Sequence, residues 1–174
     1  MPLPVVGKAH EAKAAPGPFM WFIYGSSLDR DAFARWSAEH GYRMPDFSVA
    51  APARLDGYRL AFDVLSKFWG GAVASLVEAE GAHVEGLALP LPAEAAGLVE
   101  HKEGAISGLY VGFSVDVTPL AGGAPIRAWA FRAAPGRRLP SEQPPSRAFV
   151  DTLVRGARAS GLSDPWVAEL ERLR

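Results

Sequence analysis

Phe19-Met20-Trp21-Phe22-Ile23-Tyr24-Gly25-Ser26-Ser27-Leu28-Asp29 is the stretch around which the chain is organised. Its apolar, aromatic-rich start has strand length, breaks at Gly25 into two small hydroxyl residues, and then passes into a helical pattern. This predicts strand, tight loop, helix. At such a junction the first backbone N–H groups of the helix lack intrahelical acceptors and the helix dipole adds partial positive charge, so the loop is a natural seat for an anionic group. An ordinary strand-to-helix turn with a Ser cap explains the same residues.

Outward from this stretch, composition narrows the choices. A chain of 174 residues accommodates one domain, and 49% hydrophobic with 21% charged residues is the balance of a folded globule. Eighteen glycines and 15 prolines argue for many turns and short elements over a long helical bundle. A formal net charge of -1, with no Lys/Arg run interleaved with aromatics, argues against nucleic-acid binding. No apolar segment approaches bilayer length and residues 1–18 lack a signal-peptide pattern, so the expectation is a cytoplasmic chain with no membrane partner. The absence of cysteine removes disulfides, thiolate catalysis and sulfur-ligated metal sites. It also excludes the zinc deaminase pattern that His101-Lys102-Glu103 superficially begins.

Residues 1–17 mix Pro, Gly, Ala and Lys without periodicity and read as a flexible arm ahead of a single domain over 18–174. Leu28, Ala32, Phe33 and Trp36 follow helical spacing as far as Gly41. Strands are expected over Ala53–Phe62, Ala72–Glu78, Val84–Leu89, Leu109–Val117 and Ile126–Phe131, with a hairpin turn at Glu80-Gly81 joining the second and third of these. Ala93–Lys102 reads as a short helix. The proline-rich segment Ala133–Pro145 is a mobile or surface-hugging loop, and a candidate lid. Ser146 caps a helix with Phe149, Val150, Leu153, Val154 and Ala157 on one stripe, and Asp164-Pro165 starts a last helix. Six short, mostly antiparallel strands and four helices predict an α+β domain built on a small mixed β-barrel with flanking helices.

Among residues able to carry chemistry, Ser26 and Ser27 lack the Gly-x-Ser-x-Gly elbow of a hydrolase, since Leu28 stands where its second Gly belongs. The four histidines are scattered, with solvated or capping roles, and no metal ligand set emerges. Glu103 differs from the other acids. It sits between a helix and an apolar strand beside Gly104, where a carboxylate turned toward a barrel mouth has its pKa raised by desolvation and can move a proton near neutral pH. A solvated Glu at a helix end fits the same spacing.

Two motifs then combine. Tyr24-Gly25-Ser26-Ser27-Leu28 resembles the Tyr-Gly-Ser-Asn-Leu signature of the γ-glutamylcyclotransferase-like (AIG2-like) family, and Glu103-Gly104-Ala105-Ile106-Ser107-Gly108-Leu109-Tyr110-Val111 is similar to its Glu-Gly-x-x-Ser-Gly-x-Tyr-x segment. Trp69-Gly70-Gly71, Val84-Glu85-Gly86, and Pro144-Pro145-Ser146 with Gly161-Leu162 occur in the family's order. The resemblance implies a small barrel, no cofactor and no metal. It implies conversion of a γ-glutamyl amino acid or γ-glutamyl amine to 5-oxoproline and the free amine, the substrate's α-amino group attacking its own γ-carbonyl. Glu103 is then the general acid/base, Tyr24, Gly25, Ser26, Ser27 and Leu28 bind the glutamyl group, and Tyr110 lines the pocket with its hydroxyl placed to orient Glu103. Ser27 departs from the usual Asn, which has a donor and an acceptor where Ser has one hydroxyl. A non-catalytic small-molecule binding domain of the same fold, or a protein scaffold acting through Ala133–Pro145, are the alternatives. Oligomeric state has no signal in the sequence.

Overall fold

The protein is described by a computed structural model over residues 17–174. Apart from Gly17, the expected N-terminal arm lies outside the described residues. The opening apolar run forms β1 (Phe19–Ile23), in which Trp21, Phe22 and Ile23 are buried. A strand apolar at successive positions is covered on both faces, which is why it carries no polar alternation. It pairs antiparallel with β3 (Gly71–Leu91), from Phe19 opposite Leu91 to Ile23 opposite Leu87, and parallel with β5 (Ile126–Ala133), where Trp21 faces Trp129.

With β2 (Ala51–Ser66) and β4 (Tyr110–Pro119), the strands close into a barrel in the order β1-β3-β2-β4-β5. Closure gives each of the five strands a neighbour on both sides over at least part of its length. Inside, the Trp129 indole lies so close over β4 that a Cβ on Gly112 would stand 2.0 Å from its Nε1, so only glycine fits at 112.

The expected hairpin at Glu80-Gly81 is not formed, and the six expected strands are five. Gly81 does take a left-handed conformation (φ 80°), but so does Gly57 across from it (φ 82°). Glu78 pairs with Tyr58 and His83 with Asp56, so residues 79–82 stand against Gly57 alone. Gly81 therefore serves a bulge that bends a continuous strand, not a reversal. The bend allows one end of β2 to reach β4, at Ala53–Pro119 and Arg54–Thr118, and one end of β3 to reach β1.

Four α-helices flank the barrel: α1 (Arg30–Glu39), α2 (Ala96–Lys102, after a 3-10 turn at Ala93–Ala95), α3 (Arg147–Ala159) and α4 (Asp164–Glu171). In α3 the expected stripe of Phe149, Val150, Leu153, Val154 and Ala157 is buried, and Ser146 caps the helix by accepting the Phe149 N–H at 3.2 Å. Helix α4 starts at Asp164-Pro165 as expected, and its cap is Ser163. The buried Glu85 carboxylate accepts the Ser163 N–H at 2.9 Å and its hydroxyl at 2.6 Å, fastening α4 to β3. Motifs far apart in sequence thus meet in space. The same holds at Gly71, where a Cβ would stand 2.8 Å from the Ser146 nitrogen, so Trp69-Gly70-Gly71 packs directly against Pro144-Pro145-Ser146.

Of the two descriptions of Ala133–Pro145, the surface-hugging one holds. Leu139 N–H donates to the Asp63 carbonyl (2.7 Å) and Gln143 N–H to that of Phe62 (2.9 Å). The Glu142 carboxylate accepts the Phe62 N–H and pairs with Arg59, while Arg138 reaches the Leu76 carbonyl and Asp63. These bonds strap the segment to the irregularity in β2 between Phe62 and Val64. Among the described residues no helix is long and apolar enough to cross a membrane.

Candidate active site

The loop after β1 is not the start of α1. Ser26–Leu28 form a single 3-10 turn, and α1 begins only at Arg30, capped by Asp29. Asp29 itself occupies that helix end, accepting the Ala32 N–H at 3.4 Å and pairing with Arg155 at 2.9 Å. The expected helix-dipole seat is therefore already filled by the chain's own carboxylate. What the loop offers instead comes from the 3-10 turn. Its hydrogen bonds run from Leu28 N–H to Gly25 and from Asp29 N–H to Ser26, leaving the N–H groups of Ser26 and Ser27 without acceptors inside the turn.

These residues border a cavity of about 380 Å³ at the barrel mouth. Tyr24, Gly25, Ser26 and Ser27 form one side, the α2–β4 junction with Lys102, Glu103 and Tyr110 another, and Lys67, Trp69 and Phe149 contribute to the rest. No residue of 133–145 lines it, so that segment is not placed as a lid over this cavity. Leu28 does not line it either. It is buried under α3, where a Cβ on Gly156 would stand 2.6 Å from the Leu28 Cβ, so its side chain supports the turn from behind.

Glu103 reaches the cavity because α2 ends on it and Gly104 takes φ 74°, turning the chain back along the barrel. Ser107 donates its hydroxyl to the Gly104 carbonyl at 3.0 Å, closing the turn. The expected hydrogen bond from Tyr110 to Glu103 is absent. Tyr110 donates to the Ala74 carbonyl at 2.8 Å, and Tyr24 donates to the Phe131 carbonyl, so both phenols are spent on cross-barrel ties. The group that holds Glu103 is Trp21, whose indole N–H donates to Oε1 at 3.1 Å. Nothing in the apolar run marked Trp21 for this role, because the contact spans from the middle of β1 to a helix end 82 residues away.

Burial raises the Glu103 carboxyl to about 7, against opposing pulls from the Lys102 ammonium and the Trp21 hydrogen bond. One face of Glu103 meets the cavity, but protein atoms surround the rest and remove most of its hydration. Burial lowers Lys102, and Glu103 partly restores it. The Lys102 ammonium lies 5.6 Å from the Phe33 ring and 5.4 Å from that of Trp36. Lys67 and Lys102 give this mouth two cations against Glu103 as its acid. Among the described residues, no group of three or more His, Asp or Glu side chains is arranged to hold a metal ion.

Residues 83–170, just over half of the chain, match the AIG2-like family. The chain belongs to that family. Its fold is shared with a structure described as a gamma-glutamyl cyclotransferase, at 23% identity over 90% of this chain and 88% of that one, with a TM-score of 0.74. It is also similar to YkqA from Bacillus subtilis, at 26% identity and TM-score 0.72, over 89% of this chain but 53% of YkqA. A gamma-glutamyl cyclotransferase specific to glutathione, from yeast, is similar at 13% identity and TM-score 0.58, over 90% of this chain and 95% of that one. No curated protein sequence gives a significant match. This member of the AIG2-like family thus has the closed mixed barrel with flanking helices that such structures share.

Proposed function

We propose that this member of the AIG2-like family is a γ-glutamylcyclotransferase, releasing 5-oxoproline from a γ-glutamyl amino acid or amine. The observation that carries the reading is that Glu103 and the Tyr24–Ser27 turn, 76 or more residues apart in the chain, line one cavity. The glutamyl α-carboxylate sits on the free N–H groups of Ser26 and Ser27, with Lys67 and Lys102 supplying positive charge. This leaves the α-ammonium facing Glu103.

A carboxyl near 7 is divided between its two forms at neutral pH, so it can both take and return a proton. Glu103 accepts a proton from the ammonium, and the freed amine attacks the γ-carbonyl carbon, forming the five-membered lactam. The bond from that carbon to the leaving nitrogen breaks as Glu103 returns the proton to it, and the second proton of the ring nitrogen passes to the released amine, which departs as its ammonium. No water is consumed, and the products are 5-oxoproline and a free amine. Holding the substrate folded supplies proximity, and Glu103 supplies the proton transfer.

The test is release of 5-oxoproline from a panel of γ-glutamyl amino acids and amines. Glu103→Gln keeps the side-chain shape and an acceptor for Trp21 but cannot shuttle a proton, so kcat/KM is expected to fall by about 10²–10⁴. Product from no donor, or undiminished activity in Glu103→Gln, overturns the proposal.

A further inference from the structure

Beside the first cavity lies a second, of about 790 Å³, and the two share Ser26, Trp69 and Lys102 as walls. The second is lined further by Arg35, Trp36 and Phe68. We propose that it receives the leaving-amine half of the substrate and that its walls select an aromatic amino acid there. This rests on the reading of the first cavity as the glutamyl site, since the shared walls are what place the scissile amide between them.

Size and surface both point to an aromatic group. Phe68 is 86% exposed at the tip of the β2–β3 turn, an apolar ring left in water beside a cavity. It meets Trp69 edge to face at 5.1 Å, and Trp69 is fixed in turn against Phe149 at 5.3 Å. Trp36 is held by stacking on His40 at 4.4 Å and Tyr42 at 5.4 Å. A flat ring entering between these walls covers Phe68 and gains offset or edge contacts, whereas an alanyl methyl leaves them wet.

Charge favours an amino acid over a simple amine. Of the ionic groups on the second cavity's walls, Arg155 is paired with Asp29 and Asp151 with Arg174. Lys102 is shared with the first cavity and interacts with Glu103, which leaves Arg35 as the cation on the second cavity's own wall, near enough to the leaving group to pair with a free α-carboxylate, with Glu39 on the same wall.

The experiment compares γ-glutamylphenylalanine, γ-glutamylalanine and γ-glutamylphenethylamine as donors, by 5-oxoproline release and by tryptophan fluorescence titration of Glu103→Gln. The expected result is kcat/KM about tenfold or more higher for the phenylalanine donor than for the alanine donor. Phe68→Ala, at an exposed position whose loss does not endanger folding, lowers kcat/KM for the phenylalanine donor more than for the alanine donor and so removes that preference. Arg35→Gln brings the phenylalanine donor down to the level of phenethylamine. Equal kcat/KM and equal binding for all three donors, or an identical effect of Phe68→Ala on the phenylalanine and alanine donors, overturns this inference while leaving the cyclotransferase reading standing. Selective binding of γ-glutamylphenylalanine without turnover overturns the catalytic reading and sustains the selectivity.

Discussion

A carboxyl that titrates at about 7 in the folded protein makes folding pH-dependent, and Glu103→Gln isolates that dependence. In the unfolded chain the same group titrates near 4.5. Between those values the folded state holds a proton that the unfolded state has released, so unfolding free energy falls as pH rises. The stability due to protonated Glu103 is fully present below pH 4.5 and lost as pH climbs through 7. The two pKa values correspond to about 3 kcal/mol at pH 8.5, an upper figure because one face of Glu103 meets the cavity. Glutamine carries no such burden while still accepting from Trp21. The variant should match the wild type at pH 4.5 and exceed it by about 2–3 kcal/mol at pH 8.5. In a chain of this length that corresponds to a rise in Tm of roughly 4–12 °C. Urea titrations of both proteins across the range measure it, and subtracting the two curves cancels every other titrating group, including the burial-raised Asp63. A difference that stays flat within about 0.5 kcal/mol from pH 4.5 to 8.5 would falsify the desolvation of Glu103, and with it the case for a proton shuttle at neutral pH.

Trp21→Phe removes the hydrogen bond that favours ionised Glu103, so the rising limb of the pH profile of kcat/KM should move about one pH unit to higher pH. Unchanged pH dependence would remove Trp21 from the site. Gly156→Ala drives a Cβ into Leu28 and the Asp29 nitrogen, at 2.6–2.8 Å, and should cost about 1–3 kcal/mol while displacing the 3-10 turn and lowering activity. The control Gly97→Ala, in α2 with open space around it, should be neutral or stabilising by up to about 1 kcal/mol in the same denaturation assay. Arg138→Ala leaves the buried Asp63 without its cation and should destabilise by about 1–3 kcal/mol at pH 8. The loss should shrink toward pH 4, where the carboxyl takes up a proton, and a pH-independent loss would show that Arg138 acts through the Leu76 carbonyl instead.

Local signals read correctly where the physics is local. The apolar run of β1, the buried stripe of α3 with its Ser146 cap, and the turn at Gly104 each depend on neighbours within a few residues, and each was legible. The Glu80-Gly81 turn was misread because a left-handed glycine bends a strand as readily as it reverses one. Only the partner's matching Gly57 decides between the two. The helix-dipole contribution to the anion seat after β1 is lost for a related reason. Asp29 reads as part of the helix start, and its capping of α1 and pairing with Arg155 show only when α3 is in place.

The site follows the same division. Glu103 stands out in the sequence as a carboxylate between a helix end and an apolar strand, a spacing that a solvated Glu fits equally, and its burial against Trp21 is visible only in the fold. Trp21 belongs to an alternation-free apolar run in which every residue looks like core, and most of them are. What makes one indole polar in effect is that β1 passes beneath the end of α2, a product of barrel closure. The tyrosine signal erred in the opposite direction. A phenol near a buried carboxylate invites a hydrogen bond between them, yet the Ala74 carbonyl lies within reach of Tyr110 and a buried carbonyl is costly to leave unpaired. The phenol therefore satisfies the barrel, and the carboxylate is left to the weaker indole donor, with the cavity on its other side. That arrangement keeps the Glu103 carboxyl near 7: a second strong donor would pull it back toward the ordinary carboxylate range and fix it as a spectator anion.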